Sequence, residues 1–390
     1  MSPENPHRGR RIVIGVAALI VVLIAAGAVY ALTRGGDVSN PGVEFHAEPT
    51  QTPVPDTAAT PSHHGRRKDP LASFVWGDYG YTKDRRHYLP ASFDIRPPFR
   101  HLWQHNDPVL LEFPPILVGP RFYQLDNTGY AMALNKANGH LIWRHRVGTL
   151  AAGSPAWGGG LIYMTLLTRA GSAGGRVVAL HPKNGHVAWS RDLPARSESS
   201  PVFDGGHVFF GSEDGIVSAL DAKNGHTAWT FHAGGAVKAA LALSAGKLYF
   251  GDYGGKVYAL HEGNGHIAWQ TTTHGTHFGF GSGNFYSTPA VAFGRVYIGN
   301  TDGSMYSFAA DSGRLAWSTG TSSYVYSSPA VAQVPGGQPT VYFGSYDGNF
   351  YALDARSGGH RWSFRSGGKI SGAPTVVGNI VYFSDSGTHS

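Results

Sequence analysis

The stretch Val257-Tyr-Ala-Leu-His-Glu-Gly-Asn-Gly-His-Ile-Ala-Trp269 decides the fold. Val257, Ala259 and Leu260 around Tyr258 have the β-branched, aromatic and apolar density of a strand. Asn264-Gly265 supplies a turn, because Gly takes positive φ without steric cost and Asn tolerates it. A second short strand ends on Trp269, so the unit reads as a β-hairpin. The same hairpin ends on Trp143, Trp189, Trp229, Trp317 and Trp362, with the turn glycine at Gly139, Gly185, Gly225, Gly313 and Gly358. A period of 40 to 48 residues predicts a repeat architecture.

A second landmark fixes the register. A Pro opens each unit at Pro115, Pro155, Pro201, Pro289, Pro329 and Pro374, with Leu241 in the same slot. From each hairpin Trp to the next slot is twelve residues, counting from Trp103, and only Trp269 to Pro289 differs, at twenty. From slot to Trp is twenty-eight in four units, with thirty-four and thirty-three in the others. The unit is therefore about 40 residues with three insertions, near 165–175, 271–284 and 334–339. Each unit contains an inner strand after the slot, a second strand such as Val208-Phe-Phe210, an acidic Gly turn such as Asp302-Gly303, and the hairpin. Four antiparallel strands per roughly 40–45 residues is a propeller blade.

Pro374 begins a unit that has no hairpin Trp of its own, and Trp103 is a hairpin Trp with no inner strands before it. The expected architecture is an all-β, seven-bladed propeller in which the carboxy-terminal strands, 371–384, pair with amino-terminal strands ending at Trp103. Closure removes the sheet edges that invite aggregation. The third strand of this last blade is open: either the segment 88–93 provides it, or it lies beyond Ser390.

Ahead of the propeller, 12–32 is an uncharged apolar run of 21 residues, about 31 Å as a helix, enough to span a bilayer core. Arg8, Arg10 and Arg11 precede it and Arg34 alone follows closely. The positive-inside bias places a tail, 1–11, in the cytoplasm and the bulk of the chain outside, a single-pass protein of the cell membrane. Ala26-Gly-Ala28 gives the competing reading of a cleaved signal peptide. Residues 33–70, with six prolines among Thr, Ser, Ala and Gly, read as an extended linker, leaving 71–390 as the propeller.

Composition narrows the chemistry. There is no Cys, which removes disulfides, thiolate metal sites and a cysteine nucleophile. Net charge is +6. Residues 1–70 contribute +1, seven Lys/Arg against six Asp/Glu, so +5 is spread over 320 residues without a basic run. Nucleic acid is not an expected partner. No G-x-S-x-G, H-E-x-x-H, P-loop or dinucleotide fingerprint is present. His140, His186, His226 and His266 sit on separate turn tips, too far apart for one ion, and read as solvated turn residues. His274 and His277 offer two ligands in a Gly-rich loop, too few for a metal site without a third.

The copies Tyr258-Ala-Leu…Asn264-Gly…Trp269 and Tyr351-Ala-Leu-Asp354…Gly358…Trp362 resemble the pyrroloquinoline-quinone-type (PQQ-like) β-propeller repeat over about 71–390. That family includes quinoprotein alcohol and sugar dehydrogenases. It also includes non-enzymatic propellers such as the outer-membrane assembly lipoprotein, and sensor domains of membrane kinases. The resemblance implies that Trp103, Trp143, Trp189, Trp229, Trp269, Trp317 and Trp362 dock between neighbouring blades. For a quinone enzyme it implies adjacent cysteines, which this chain lacks, and a Trp floor, for which only Trp76 and Trp157 fall outside the hairpin register. Calcium would need convergent oxygens, with Glu112 and Glu198 as candidates and no Asn/Asp partner at a matching slot.

A binding surface is expected where the chain passes from an outer strand to the next inner strand. Three residues before each slot stand Glu112, Ala152, Glu198, Lys238, Tyr286, Tyr326 and Ser371; two earlier stand Leu110, Leu150, Arg196, Ala236, Asn284, Tyr324 and Lys369. Scaffold positions repeat, whereas these differ and include charges and aromatics. The expected site is the channel mouth, with Glu112, Glu198, Lys238, Tyr286, Tyr326, Arg196, Tyr324 and Lys369 contacting a protein or envelope polymer and the loop 271–284 beside it. No catalytic residue, metal or cofactor is expected on this reading. The alternatives are a PQQ- and calcium-dependent dehydrogenase, and a sensor or structural domain serving a membrane neighbour.

Overall fold

The computed structural model describes residues 37–48, 74–92, 95–273 and 283–387. Every regular element among them is a β-strand. The strands form seven sheets. In the third sheet, Val202–Asp204, His207–Gly211, Ile216–Asp221 and Thr227–His232 pair antiparallel in chain order. Five further sheets repeat this order at 116–146, 156–192, 242–272, 290–320 and 330–365. The first strands of successive sheets touch one another, for example Ala290–Ala292 with Ala330–Ala332, so they face a common axis.

The hairpin turn explains why the pattern is so regular. Gly265 has φ +71°, and a Cβ on it would come within 3.0 Å of the Trp229 indole of the preceding sheet. The residue must be Gly for both backbone and packing reasons. Gly139, Gly185, Gly225, Gly313 and Gly358 lie in the same way against Trp103, Trp143, Trp189, Trp269 and Trp317. Each of these six indoles donates its Nε1–H to the carbonyl three residues before that glycine: Lys136, Pro182, Ala222, Glu262, Ala310 or Ala355, at 2.8–3.1 Å. Tyr123, Tyr163, Tyr249 and Tyr297 add their hydroxyls to four of the same carbonyls. One carbonyl thus takes two donors from the sheet before it. A buried indole contributes apolar area and a satisfied N–H at the same point.

Trp362 departs from this rule. It pairs with Ala352 as its counterparts do, but no hairpin of a following sheet covers it among the described residues, and it is 41 % exposed.

The amino-terminal stretch also departs from expectation. Instead of forming outer strands of the last sheet, 74–89 runs along the axis. The inner edges of the first strands would otherwise leave backbone groups unpaired. Val75–Trp76 pairs with the first sheet. Gly77 O then accepts from Trp157 N at 2.7 Å. Lys83, Asp84, Arg86 and His87 offer their carbonyls to Leu243, Val291, Val331 and Val376 in the fourth to seventh sheets, at 2.8–2.9 Å. Left-handed φ at Arg85 and His87, 58° and 52°, turns successive peptides so that these carbonyls fan outward. The third sheet is met by side chains: Lys83 pairs with Asp204, and Arg85 Nη2 donates to Pro201 O at 3.0 Å.

Ring closure therefore differs from the expected pairing. Tyr88–Leu89 pairs parallel with the inner strand Thr375–Val377, on its axial side, and is not the missing third strand. Trp103 docks on Gly139 but belongs to no described strand. The seventh sheet has three strands, ordered Ile380–Tyr382, Thr375–Val377, Tyr88–Leu89. It meets the first sheet through a cluster of Leu89, Ala91 and Val377 with Phe74 and Trp76.

Part of the expected linker is docked as well. Val38–Ser39 adds a fifth strand to the outer edge of the fifth sheet, Val43 is buried, and Glu48 pairs with Arg86. The reason is local: Arg295, buried at the sheet surface, takes the carbonyls of Val43 and Glu44. The predicted membrane span 12–32 and the rest of the linker lie outside the described residues. Among the described residues, no helix is long and apolar enough to cross a membrane.

Candidate functional site

The inner-strand starts and the acidic Gly turns converge at one end of the axis on a cavity of about 1220 Å³. Its floor is the axial segment itself, through Trp76, Tyr79, Gly80 and His87. A propeller channel has here become a blind cup.

Glu112, Glu198, Lys238, Tyr286, Tyr326 and Ser371, all three residues before a slot, line this cup. Lys238 Nζ donates to Glu198 Oε1 at 2.8 Å and to Glu213 Oε1 at 2.9 Å. Tyr286 Oη donates to Glu198 Oε2 at 3.0 Å. Burial alone would lower the Lys238 pKa, but the two carboxylates outweigh it and hold it above the ordinary lysine value. Burial also pushes against ionised Glu213, and the bond from Lys238 wins, lowering its pKa. The Tyr286 hydroxyl is pushed up, first by burial and then by the Glu198 charge. Tyr253 is pushed up to about 12, again mainly by burial. The cup thus sets Lys238 between Glu198 and Glu213, with Tyr286 on the same Glu198.

The aromatic side is continuous. Tyr253 meets Tyr286 at 6.2 Å between ring centroids, Tyr286 meets Tyr326 at 5.4 Å, and Tyr326 meets Tyr346 at 4.8 Å. Lys238 stands over the Tyr253 ring and Lys369 over the Tyr346 ring, at 5.5 and 5.2 Å.

The register five residues before the slot behaves differently. Arg196, Tyr324 and Lys369 do not line the cavity. Their carbonyls accept backbone N–H groups from Glu213, Tyr346 and Ser386 in the turns. The side chains of this register lie beside the mouth: Tyr324 half-exposed against Tyr326 and Tyr346, and Arg196 with a buried Nε that has no partner among the described residues. Most of the loop 271–284, including His274 and His277, lies outside the described residues. His140, His186, His226 and His266 are exposed on their turns.

Glu213, Tyr253 and Tyr346 were missed by the slot argument. They occupy one common position, two before the turn glycines Gly215, Gly255 and Gly348. That position also reads Asn127 and Thr301, so it breaks the repeat as the slot register does, and the same reasoning applied there would have found them. The floor residues Tyr79 and His87 precede all repeats and carried no such signal.

Comparison with known proteins places the architecture. BamB from Moraxella catarrhalis is similar over 73 % of this chain and 85 % of its own, at 19 % identity and TM-score 0.59. A europium-containing methanol dehydrogenase is similar over 77 % of this chain and 87 % of its own, at 12 % identity and TM-score 0.61. The quinohemoprotein alcohol dehydrogenase ADHIIG from Pseudomonas putida is similar over 77 % and 74 %, at 15 % identity and TM-score 0.57. Among curated proteins no sequence matches. The sequence profile described as outer membrane protein assembly factor BamB matches residues 127–333 and 326–389. The chain belongs to this family of PQQ-like β-propellers.

Proposed function

We propose that this chain is a non-catalytic, seven-bladed binding propeller, carried outside the membrane on 12–32, whose blind mouth holds a segment of a protein partner. The observation that carries the reading is the axial segment 74–89, which turns a channel into a cup walled by Tyr253, Tyr286, Tyr326 and Tyr346. Tyrosines give contact area with a polar tip at low entropy cost, and the Lys238 pair of carboxylates gives orientation. The matching family's name, outer membrane protein assembly factor, agrees with a protein partner.

The quinoprotein alternative shares the fold, and the hydrogen bonding of the cup favours it less. Glu198, which lines the cup together with Glu112, already takes Lys238 and Tyr286. A calcium ion there would have to displace an ammonium held by two carboxylates. Fold similarity does not transfer the chemistry.

The test is crosslinking capture from native membranes, comparing the parent with Tyr326→Ala and Lys238→Met. Loss of a specific captured protein in both variants, by an amount typical of contact residues of about 1–2 kcal/mol, is expected. In parallel, the purified chain is incubated with PQQ and calcium. Dye reduction with an alcohol or sugar would overturn the non-catalytic reading.

A further inference from the structure

The docked segment 37–48 is fastened along the full height of the fifth sheet. Val38–Ser39 pairs antiparallel with the outer strand, Val38 opposite Ser318 and Ser39 opposite Trp317. Asp37 Oδ1 accepts from Gly320 N at 2.9 Å, and Asn40 N donates to Ala316 O at 2.7 Å. Further along, Arg295 takes the carbonyls of Val43 and Glu44, and Glu48 Oε1 accepts from Phe293 N at 2.6 Å.

The two ends of this segment lie on opposite faces of the ring. Gly320 is at the mouth end: Thr321 N donates to Gly303 O at 2.7 Å and Ser322 N to Asp347 Oδ2 at 2.9 Å, both in acidic Gly turns. Phe293 is in the turn between the first strand, Ala290–Ala292, and the second, Arg295–Gly299, on the far face. From its amino-terminal side the chain therefore meets the ring first at the mouth, at Asp37, and then descends to the far face.

Length decides the orientation. Four residues, 33–36, separate the apolar run 12–32 from Asp37. Five residue steps reach at most about 18 Å. The headgroup layer takes about 5–8 Å of that, leaving roughly 10–13 Å. A six-residue strand is about 20 Å long. With the far face on the bilayer, Asp37 would stand a full strand length above it, beyond the reach of the tether.

We propose that the ring is held with its mouth turned toward the bilayer, and that the segment taken by the cup belongs to a protein embedded in that same membrane. This rests on the reading of 12–32 as a retained anchor. Beside the fifth sheet the remaining gap admits a loop or strand rising from the membrane, whereas a folded domain of about 30 Å does not fit.

The chain has no Cys, so single introduced cysteines can carry a fluorophore. The full-length protein is inserted in phosphatidylcholine vesicles that contain a headgroup-linked energy acceptor. Labels go on three exposed positions: Ser322→Cys at the mouth beside the tether, Ala173→Cys at the mouth in the second sheet, across the ring, and Ser312→Cys in the far-face turn of the fifth sheet. The Ser322→Cys and Ala173→Cys labels should lose most of their emission to the acceptor, and the Ser312→Cys label should keep it. Inserting about 24 Gly/Ser residues between 36 and 37 should remove the difference. In native membranes, a photocrosslinker on Ser322→Cys should capture a protein that stays in the membrane pellet at high pH. The insertion should weaken that capture about tenfold, as effective concentration falls with tether length.

Quenching of the Ser312→Cys label as strong as that of Ser322→Cys overturns the orientation, because the ring would then lie on its edge or inverted. A captured protein that is released at high pH, or capture indifferent to the insertion, overturns the membrane-embedded partner. Release of the chain itself from the vesicles at high pH would show that 12–32 does not anchor it, and overturns the anchor reading together with the proposal. The expected quenching with no captured protein overturns the protein partner of the cup and not the orientation.

Discussion

Trp317 and Trp362 hold the same place in consecutive repeats, and their surroundings are opposite. Trp317 is 0 % exposed, bonded to Ala355 O and covered by Gly358. Trp362 is 41 % exposed with no following turn among the described residues. The strand of Trp317 is also covered by Val38–Ser39, but Trp143, Trp189 and Trp269 are buried without such a cover, so what decides the difference is the next sheet. A repeat Trp is a core residue only where a neighbour completes it, and at a seam the same side chain is a surface feature.

The largest effect should come from the complete junction. Trp317→Ala should cost about 3–5 kcal/mol of folding stability, read by denaturant unfolding. A cost under about 1 kcal/mol would show that the junctions are not where the fold is held. Arg85→Met, at the axis, should cost about 3 kcal/mol or more. Arg85 is wholly buried and donates to Tyr79 O, Leu241 O and Pro201 O, so its loss strands three carbonyls.

The axis also predicts a pH signature. Burial, partly offset by Arg85, pushes the Asp78 carboxyl up to about 6. Burial and the charge of Arg85 push His87 down to about 3. The native state binds the Asp78 proton more tightly than the unfolded chain, so that contribution is greatest near pH 4 and is lost as pH rises toward 6. For His87 the native state binds the proton less tightly, so that contribution is present above about pH 6.5 and is lost as pH falls toward 3. Between roughly pH 4 and 6 the two slopes oppose. Asp78→Asn removes one of them, so its stability relative to the parent should rise with pH by about 1.4 kcal/mol per unit across that window. A constant difference between parent and variant would mean that Asp78 is not a buried acid. The smallest effect belongs to the seam: Trp362→Ala should change stability by less than about 1 kcal/mol, as exposed positions do. A cost near that of Trp317→Ala would show that something already covers it.

The repeat was legible because its causes are local. Gly265 and Trp269 mark a turn and a dock in every copy, and twelve residues from Trp to slot gave the register. Five predicted mouth residues, Glu112, Glu198, Lys238, Tyr286 and Tyr326, do meet in one cavity, because breaking a repeat leaves a visible trace in sequence. The axial segment left no trace. Its bonds are made mostly by carbonyls of Gly77, Lys83, Asp84, Arg86 and His87, and a backbone carbonyl does not depend on side-chain identity. Val38–Ser39 was hidden in the same way, a two-residue strand inside a proline-rich stretch.

The axial segment has a consequence for how the molecule is made. Residues 74–89 leave the ribosome before any of the chain-ordered sheets exists, so the core of the ring is synthesised ahead of its rim. In the finished fold, sheets two and four to seven take the carbonyls of Gly77, Lys83, Asp84, Arg86 and His87, in that order. The order of these carbonyls along the segment matches the order in which the sheets are translated. The last turn of winding joins Val376 to His87, so the contact that finishes the ring is also the one that spans nearly all of it.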